Sequence, residues 1–142
     1  MMETSEVRRR LLQAIAQAKQ GASERRAESD LAARQFERFL EEVAGPVVRQ
    51  FAGALRAEGF PYQIATPAGL LRLESERARE DVIEIALDTS ERPVVVGRTS
   101  RGRGRRLVSE ERPLREGAGV ADLTEEDVLA YLLAVIPPFV ER

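Results

Sequence analysis

The stretch DVIEIALD, residues 81–88, decides the fold class of this chain. Ile83, Ile85 and Leu87 alternate with charged or small residues, which is the pattern of a β-strand with one face on a core. Strands joined by only a few residues are nearly always antiparallel neighbours, so the middle of the chain predicts an antiparallel meander of four or five strands. The other expected strands lie at 61–66, 70–75, 94–96 and 106–111, the last with Leu107 as an inward candidate.

Two helical patterns precede these strands. The first covers 5–20 and the second covers 23–58, with Gly21 between them. Gly45-Pro46 falls inside the second pattern, where the proline predicts a kink or a break. Whether these patterns form one, two or three helices stays open. The apolar positions of the first pattern recur at helical spacing and are Val7, Leu11, Ala14, Ile15 and Ala18.

Residues typical of helix ends complete the outline. Gly59 is placed to end the second helix, and Thr124 with Asp127 resembles a capping box that begins a final helix. Apolar residues cover nearly the whole circumference of that final helix, which predicts burial on most sides before Pro137-Pro138 ends it. The fold class expected is α+β, with one or more N-terminal helices, the antiparallel meander and an apolar C-terminal helix.

The second helical pattern is longer than a small sheet can cover. A helix of about 35 residues measures about 50 Å, and in its front half Leu31 is the one large apolar residue. We therefore expect 1–35 to form a helical extension that takes part in self-association, ahead of a single α+β domain over 36–142. The interface residues expected from the helices are Leu31, Phe36, Leu40, Tyr131 and Val135.

The composition excludes most familiar catalytic machinery. The chain of 142 residues has a net charge of −2 and contains no His and no Cys. This removes the usual general base, the thiolate nucleophile and the commonest zinc ligands. We expect a non-enzymatic protein with no cofactor and no metal. No run of about 18 apolar residues is present, so we expect no membrane span and a cytoplasmic location.

Acidic residues cluster around the central strand. Glu84 and Asp88 fall on one side of it, and Glu80 and Asp81 lie just upstream. Clustered carboxylates can hold Mg²⁺. A solvent-facing strand with alternating charge explains these acids more simply, and the one lysine of the chain, Lys19, lies far away in the first helix. The sequence therefore favours a charged surface over a metal site.

The sharpest local signal is the stretch GRTSRGRGRR, residues 97–106, whose five charges are all positive. Guanidinium groups bind phosphate in a bidentate way, and flanking glycines allow close approach of the backbone. The stretch lacks the Gly-Lys-Ser/Thr ending of a nucleotide-binding phosphate loop, and it has no aromatic residue on which a base could stack. The candidate anion-binding residues are Arg98, Arg101, Arg103, Arg105 and Arg106.

Three interpretations of this arginine-rich loop are open. It is a solvated hairpin tip whose arginines pair with nearby acids, a site for an anionic ligand or nucleic acid, or a contact for a protein partner. Together with the helices, the sequence predicts a non-enzymatic interaction protein that self-associates as a homodimer or larger assembly. The alternative is nucleic-acid or polyanion binding through residues 98–106.

Overall fold

A computed structural model of the chain describes residues 1–141. A long N-terminal helix leads into a five-stranded antiparallel sheet and then a C-terminal helix, which confirms the α+β class. The helices are α1 (Thr4–Phe39), α2 (Gly45–Ala57) and α3 (Glu125–Val135), and the strands are β1 (Tyr62–Ala65), β2 (Leu71–Ser75), β3 (Val82–Asp88), β4 (Val94–Arg103) and β5 (Arg106–Pro113).

The sheet is a meander in which strands adjacent in sequence are adjacent in space. Every neighbouring pair is antiparallel, as predicted. On the inner face Leu73 lies opposite Ile83, and Ile83 lies opposite Thr99. Because side chains alternate along a strand, this register brings the apolar residues of β2 and β3 onto one face. Ile83 and Ile85 are each only 2% exposed there.

The hairpin formed by β4 and β5 is longer than the sequence suggested. The strand expected at 94–96 continues to Arg103, so most of the stretch expected to be an arginine-rich loop is strand. That expectation was wrong because alternating Gly and Arg carry no apolar pattern from which a strand could be recognised. Leu107, which was expected to face inward, is 61% exposed. It lies opposite Gly102, beyond Ser100, which is the last residue of β4 that pairs with β3.

The first two helical patterns join without interruption at Gly21, because α1 is one helix of 36 residues. The residues around this glycine are strong helix formers, and a single glycine costs a helix only about 1 kcal/mol relative to alanine. At 1.5 Å per residue α1 is about 54 Å long. Its first buried residue is Ala32, so most of its length lies outside the core.

Gly45-Pro46 does not break the helical path. A π-helical turn, Leu40–Ala44, connects α1 to α2, and the Gly45 N–H donates to the carbonyl oxygen of Leu40 five residues earlier. In a regular α-helix the ring of Pro46 would collide with the carbonyl four residues before it. The wider turn moves that carbonyl away, and Pro46 then lies in the first turn of α2, where an N–H is not needed. The π-turn replaces the predicted break.

The two expected helix ends are confirmed. After α2, Gly59 has φ +92°, its N–H donates to the Arg56 carbonyl at 3.1 Å, and the Phe60 N–H donates to the Leu55 carbonyl at 2.8 Å. This pair of bonds is the Schellman motif. Before α3, Thr124 and Asp127 each accept a hydrogen bond from the other's backbone N–H, which is a capping box.

The core lies between the inner face of the sheet and the helices. Val48 of α2 and Val128 and Leu132 of α3 are at most 1% exposed. The C-terminal helix is less buried than predicted, because Leu133 on its outer side is 55% exposed. The sequence overestimated this burial because the apolar residues continue around the outer face of α3, which the single chain leaves open.

Candidate functional site

The five candidate arginines do not form one group. Register and strand alternation place Arg98 on the outer face of the sheet, and they place Arg101, Arg103 and Arg106 on the opposite side of the hairpin. Arg105 lies in the two-residue turn. The structure therefore separates Arg98 from the other four.

Arg98 belongs to a row of alternating charges across the outer face. Arg72 lies opposite Glu84, Glu84 opposite Arg98, and Arg98 opposite Glu111. The Arg72 Nε donates to Glu84 Oε2 at 2.6 Å, and the Arg98 Nε donates to Glu111 Oε2 at 3.2 Å. The hydrogen bond to Glu84 raises the pKa of Arg72 above its usual value. Oppositely charged cross-strand neighbours stabilise a sheet, so this row is explained by the fold.

The acidic residues near β3 follow the same explanation. Glu84 is in the charge row, and Asp88 accepts hydrogen bonds from the backbone N–H and hydroxyl of Ser90. These hydrogen bonds lower the pKa of Asp88. Within residues 1–141 no group of three or more acidic side chains is arranged to hold a metal ion.

Arg101, Arg103, Arg105 and Arg106 differ from Arg98 in having no ion pair within the described chain. Three of them are exposed and Arg101 is half-buried. Arg103 lies directly opposite Arg106, and like charges in this relation destabilise a hairpin. The stability of the hairpin therefore gives no reason for these four arginines.

The N-terminal half of α1 forms a second surface without an explanation in the single chain. Residues 7–20 are all exposed, and their apolar members include Val7 at 49%, Leu11 at 57% and Ile15 at 40% exposure. Val7, Leu11, Ala14, Ile15 and Ala18 follow one side of the helix, and we call this set the apolar stripe. The spacing was visible in the sequence, but only the structure shows that the chain itself leaves the stripe uncovered.

The five interface residues expected from sequence differ in burial. Phe36 and Tyr131 are buried in the core of the single chain, at 5% and 3% exposure. Leu40 and Val135 pack at the edge of that core, and Leu31 is 49% exposed. Two of the five are therefore used within the core of the single chain, and Leu31 is the most exposed of the set.

Tyr131 closes the core over the last hairpin. Its ring lies directly on the backbone of Gly97, where any side chain would overlap it, and the Arg112 guanidinium carbon lies 5.4 Å from the ring centroid. Burial raises the pKa of the Tyr131 phenol to about 12, with Arg112 opposing and Glu110 adding to the shift. Burial thus favours the neutral phenol of Tyr131 over the charged phenolate.

This pKa shift predicts a loss of stability in alkali. The pKa in the folded protein is raised above the ordinary value of about 10, so the contribution of Tyr131 is complete below pH about 10 and is lost as the pH rises through about 12. We expect the urea midpoint of the wild type to fall between pH about 9 and about 11.5 by more than that of Tyr131→Phe. An equal fall in both proteins would contradict the assignment.

In residues 1–141 no helix is both long enough and apolar enough to cross a membrane. Comparison of the chain with protein-family models, with curated proteins and with solved structures gives no match. The exposed surfaces described above are therefore the features of the molecule that indicate a function.

Proposed function

We propose that this is a non-enzymatic interaction protein that self-associates as a homodimer through the N-terminal half of α1. The observation that supports the proposal is the apolar stripe, whose three largest side chains are 40–57% exposed. A helix in water is stabilised mainly by packing its apolar side against something else. A second copy of the chain would supply that packing.

The position of the apolar stripe on α1 supports this occupant. Ala18 and Phe36 are 18 residues apart, which is about five helical turns, so they lie on the same side of α1. Phe36 is buried in the core at 5% exposure. The side of α1 that packs on the chain's own core thus continues, beyond the end of that core, as the apolar stripe.

Charge favours an antiparallel arrangement of the two helices. In a parallel pair, Arg8–Arg10 of one copy would lie beside the same three arginines of the other. In an antiparallel pair that packs stripe on stripe, centred near residues 12–13, these arginines approach residues 15–17 of the other copy, which are uncharged. Repulsion between like charges beside a helical seam disfavours the parallel pair.

The absence of His and Cys from the sequence supports the non-enzymatic part of the proposal, because the common acid–base and nucleophilic groups are missing. Phe36 and Tyr131 are already used within the core. The proposed contact is therefore the apolar stripe, and not the interface set expected from sequence.

Light scattering coupled to gel filtration tests the proposal with a matched pair of variants. The wild type at micromolar concentration is expected to show twice the 15.8 kDa of one chain. Leu11→Glu places a charge on the stripe of both copies and should weaken dimerisation by at least about 100-fold. Leu12→Glu is the control, because Leu12 is equally exposed, at 55%, but lies about 100° around the helix from Leu11.

A wild-type protein that is monomeric at about 100 µM would refute the proposal, since that concentration requires only about 5 kcal/mol of association free energy. Equal weakening by both variants would also contradict it, because the contact would then not follow the stripe. Both side chains are exposed in the single chain, so neither substitution should prevent folding.

A further inference from the structure

The end of the last hairpin forms a ribbon that extends beyond the sheet. The pairing of β3 with β4 ends at Val82 and Ser100, whereas β4 and β5 stay paired as far as Arg103 and Arg106. We call residues 101–108 the arginine ribbon. Gly104, with φ +65°, makes its two-residue turn, a conformation that glycine adopts without strain.

We propose that the arginine ribbon binds the phosphate backbone of double-stranded DNA. Arg101, Arg103 and Arg106 project from one side of the ribbon, and Arg105 lies at its tip. No ion pair within residues 1–141 uses any of the four. The Glu80 side chain packs on Gly102, which faces the other side, and Glu110 lies on the arginine side but opposite Thr99, before the ribbon begins. The arginine side of the ribbon itself, residues 101, 103, 106 and 108, carries no acidic residue, so we infer that it can accept a polyanion.

Two features select duplex DNA among polyanions. The ribbon has no aromatic residue, so it offers nothing on which an unpaired base can stack. The major groove of B-form DNA admits a two-stranded β-ribbon, whereas the major groove of duplex RNA is too narrow to admit side chains. Guanidinium groups suit the phosphates that line that groove, because each can donate two parallel hydrogen bonds.

The arginine ribbon is distant in sequence from the apolar stripe, and one ribbon on one chain is sufficient for the contact. The DNA proposal therefore does not depend on self-association. If both proposals hold, a homodimer carries two ribbons, and the Leu11→Glu protein should bind the same DNA more weakly but with the arginine ribbon still required. Binding and oligomeric state are measured separately, so either proposal can fail alone.

Fluorescence anisotropy with a labelled duplex of about 20 base pairs tests the proposal across a salt series from about 50 to about 300 mM. Four phosphate contacts predict that the logarithm of the binding constant falls with the logarithm of salt concentration with a slope of about −4 per ribbon. Replacing Arg101, Arg103 and Arg106 with Gln should reduce that slope to about −1 and lower the affinity at least about tenfold at the low-salt end.

The matched control replaces Arg8, Arg9 and Arg10 with Gln. It removes the same number of positive charges from the other exposed run of arginines, and it should leave the slope within about one unit of the wild type. Thermal unfolding of each variant verifies that it is folded.

Three results would overturn the proposal. The first is no binding of duplex DNA at about 50 mM salt. The second is loss of binding in the helix variant with retention in the ribbon variant. The third is a single-stranded oligonucleotide or duplex RNA that binds as tightly as duplex DNA, which would show that the arginine ribbon recognises charge without the groove.

Discussion

Gly97→Ala is expected to destabilise the protein by about 3 kcal/mol. A methyl group at this position would overlap the Tyr131 ring and its hydroxyl oxygen. The strand cannot move away, because Gly97 is held between Ile85 on β3 and Arg112 on β5. The ring cannot move freely either, since Tyr131 is 3% exposed. The measurement is urea unfolding monitored by circular dichroism, in which the midpoint of the variant should be much lower than that of the wild type.

A double-mutant cycle with Tyr131→Ala tests the physical reason. Tyr131→Ala alone removes a large buried ring and should cost about 3 to 5 kcal/mol. In that background the added methyl at residue 97 has space, so Gly97→Ala should cost less than about 1 kcal/mol. If Gly97→Ala costs the same in both backgrounds, then the overlap with Tyr131 is not what requires glycine here.

The contact between Gly97 and Tyr131 is a feature that could not be predicted from the sequence. The alternation in 81–88, the capping box at Thr124 and the glycine after α2 each depend on residues that are close in sequence, and the structure confirms all three. Gly97 and Tyr131 are far apart in sequence. Nothing in either residue's neighbourhood indicates that an aromatic ring takes the place of a side chain at residue 97.

The two candidate surfaces were predictable to different extents. The arginines between 97 and 107 are conspicuous in the sequence, but their division into Arg98 and the rest depends on which side of β4 each residue takes. A loop has no such sides, and the sequence predicted a loop. The ion pair with Glu111 then accounts for Arg98. Within residues 1–141 the arginines of the arginine ribbon make no ion pair.

Exposure of the apolar stripe was beyond prediction for a related reason. Its helical spacing is the same as that of a stripe buried against a core. Whether the stripe is covered depends on where the core ends along α1, and only the packing around Ala32 and Phe36 determines that. Periodicity thus identified the side of the helix, and tertiary structure determined which part of that side is free.

The second large effect is expected at the π-helical turn, where Gly45→Ala should destabilise the protein by about 2 kcal/mol. A β-carbon at residue 45 would lie 2.6 Å from the carbonyl oxygen of Leu40, closer than such atoms approach in proteins. That same oxygen accepts the hydrogen bond from the Gly45 N–H, so it cannot turn away without losing the bond. Relief requires a shift of the backbone that connects α1 to α2, within the buried core.

Gly53→Ala is the matched control, since it makes the same change in the same helix with the opposite expected sign. Gly53 is exposed, and apart from the adjacent backbone of its own helix a β-carbon there would meet no atom within 4 Å. Alanine has the higher helix propensity, so this variant should be more stable than the wild type by about 0.5 to 1 kcal/mol. Urea midpoints of the two variants should therefore lie on opposite sides of the wild-type value. If both rise, the helix propensity of alanine outweighs the contact with Leu40, and the π-turn has room for a side chain at residue 45.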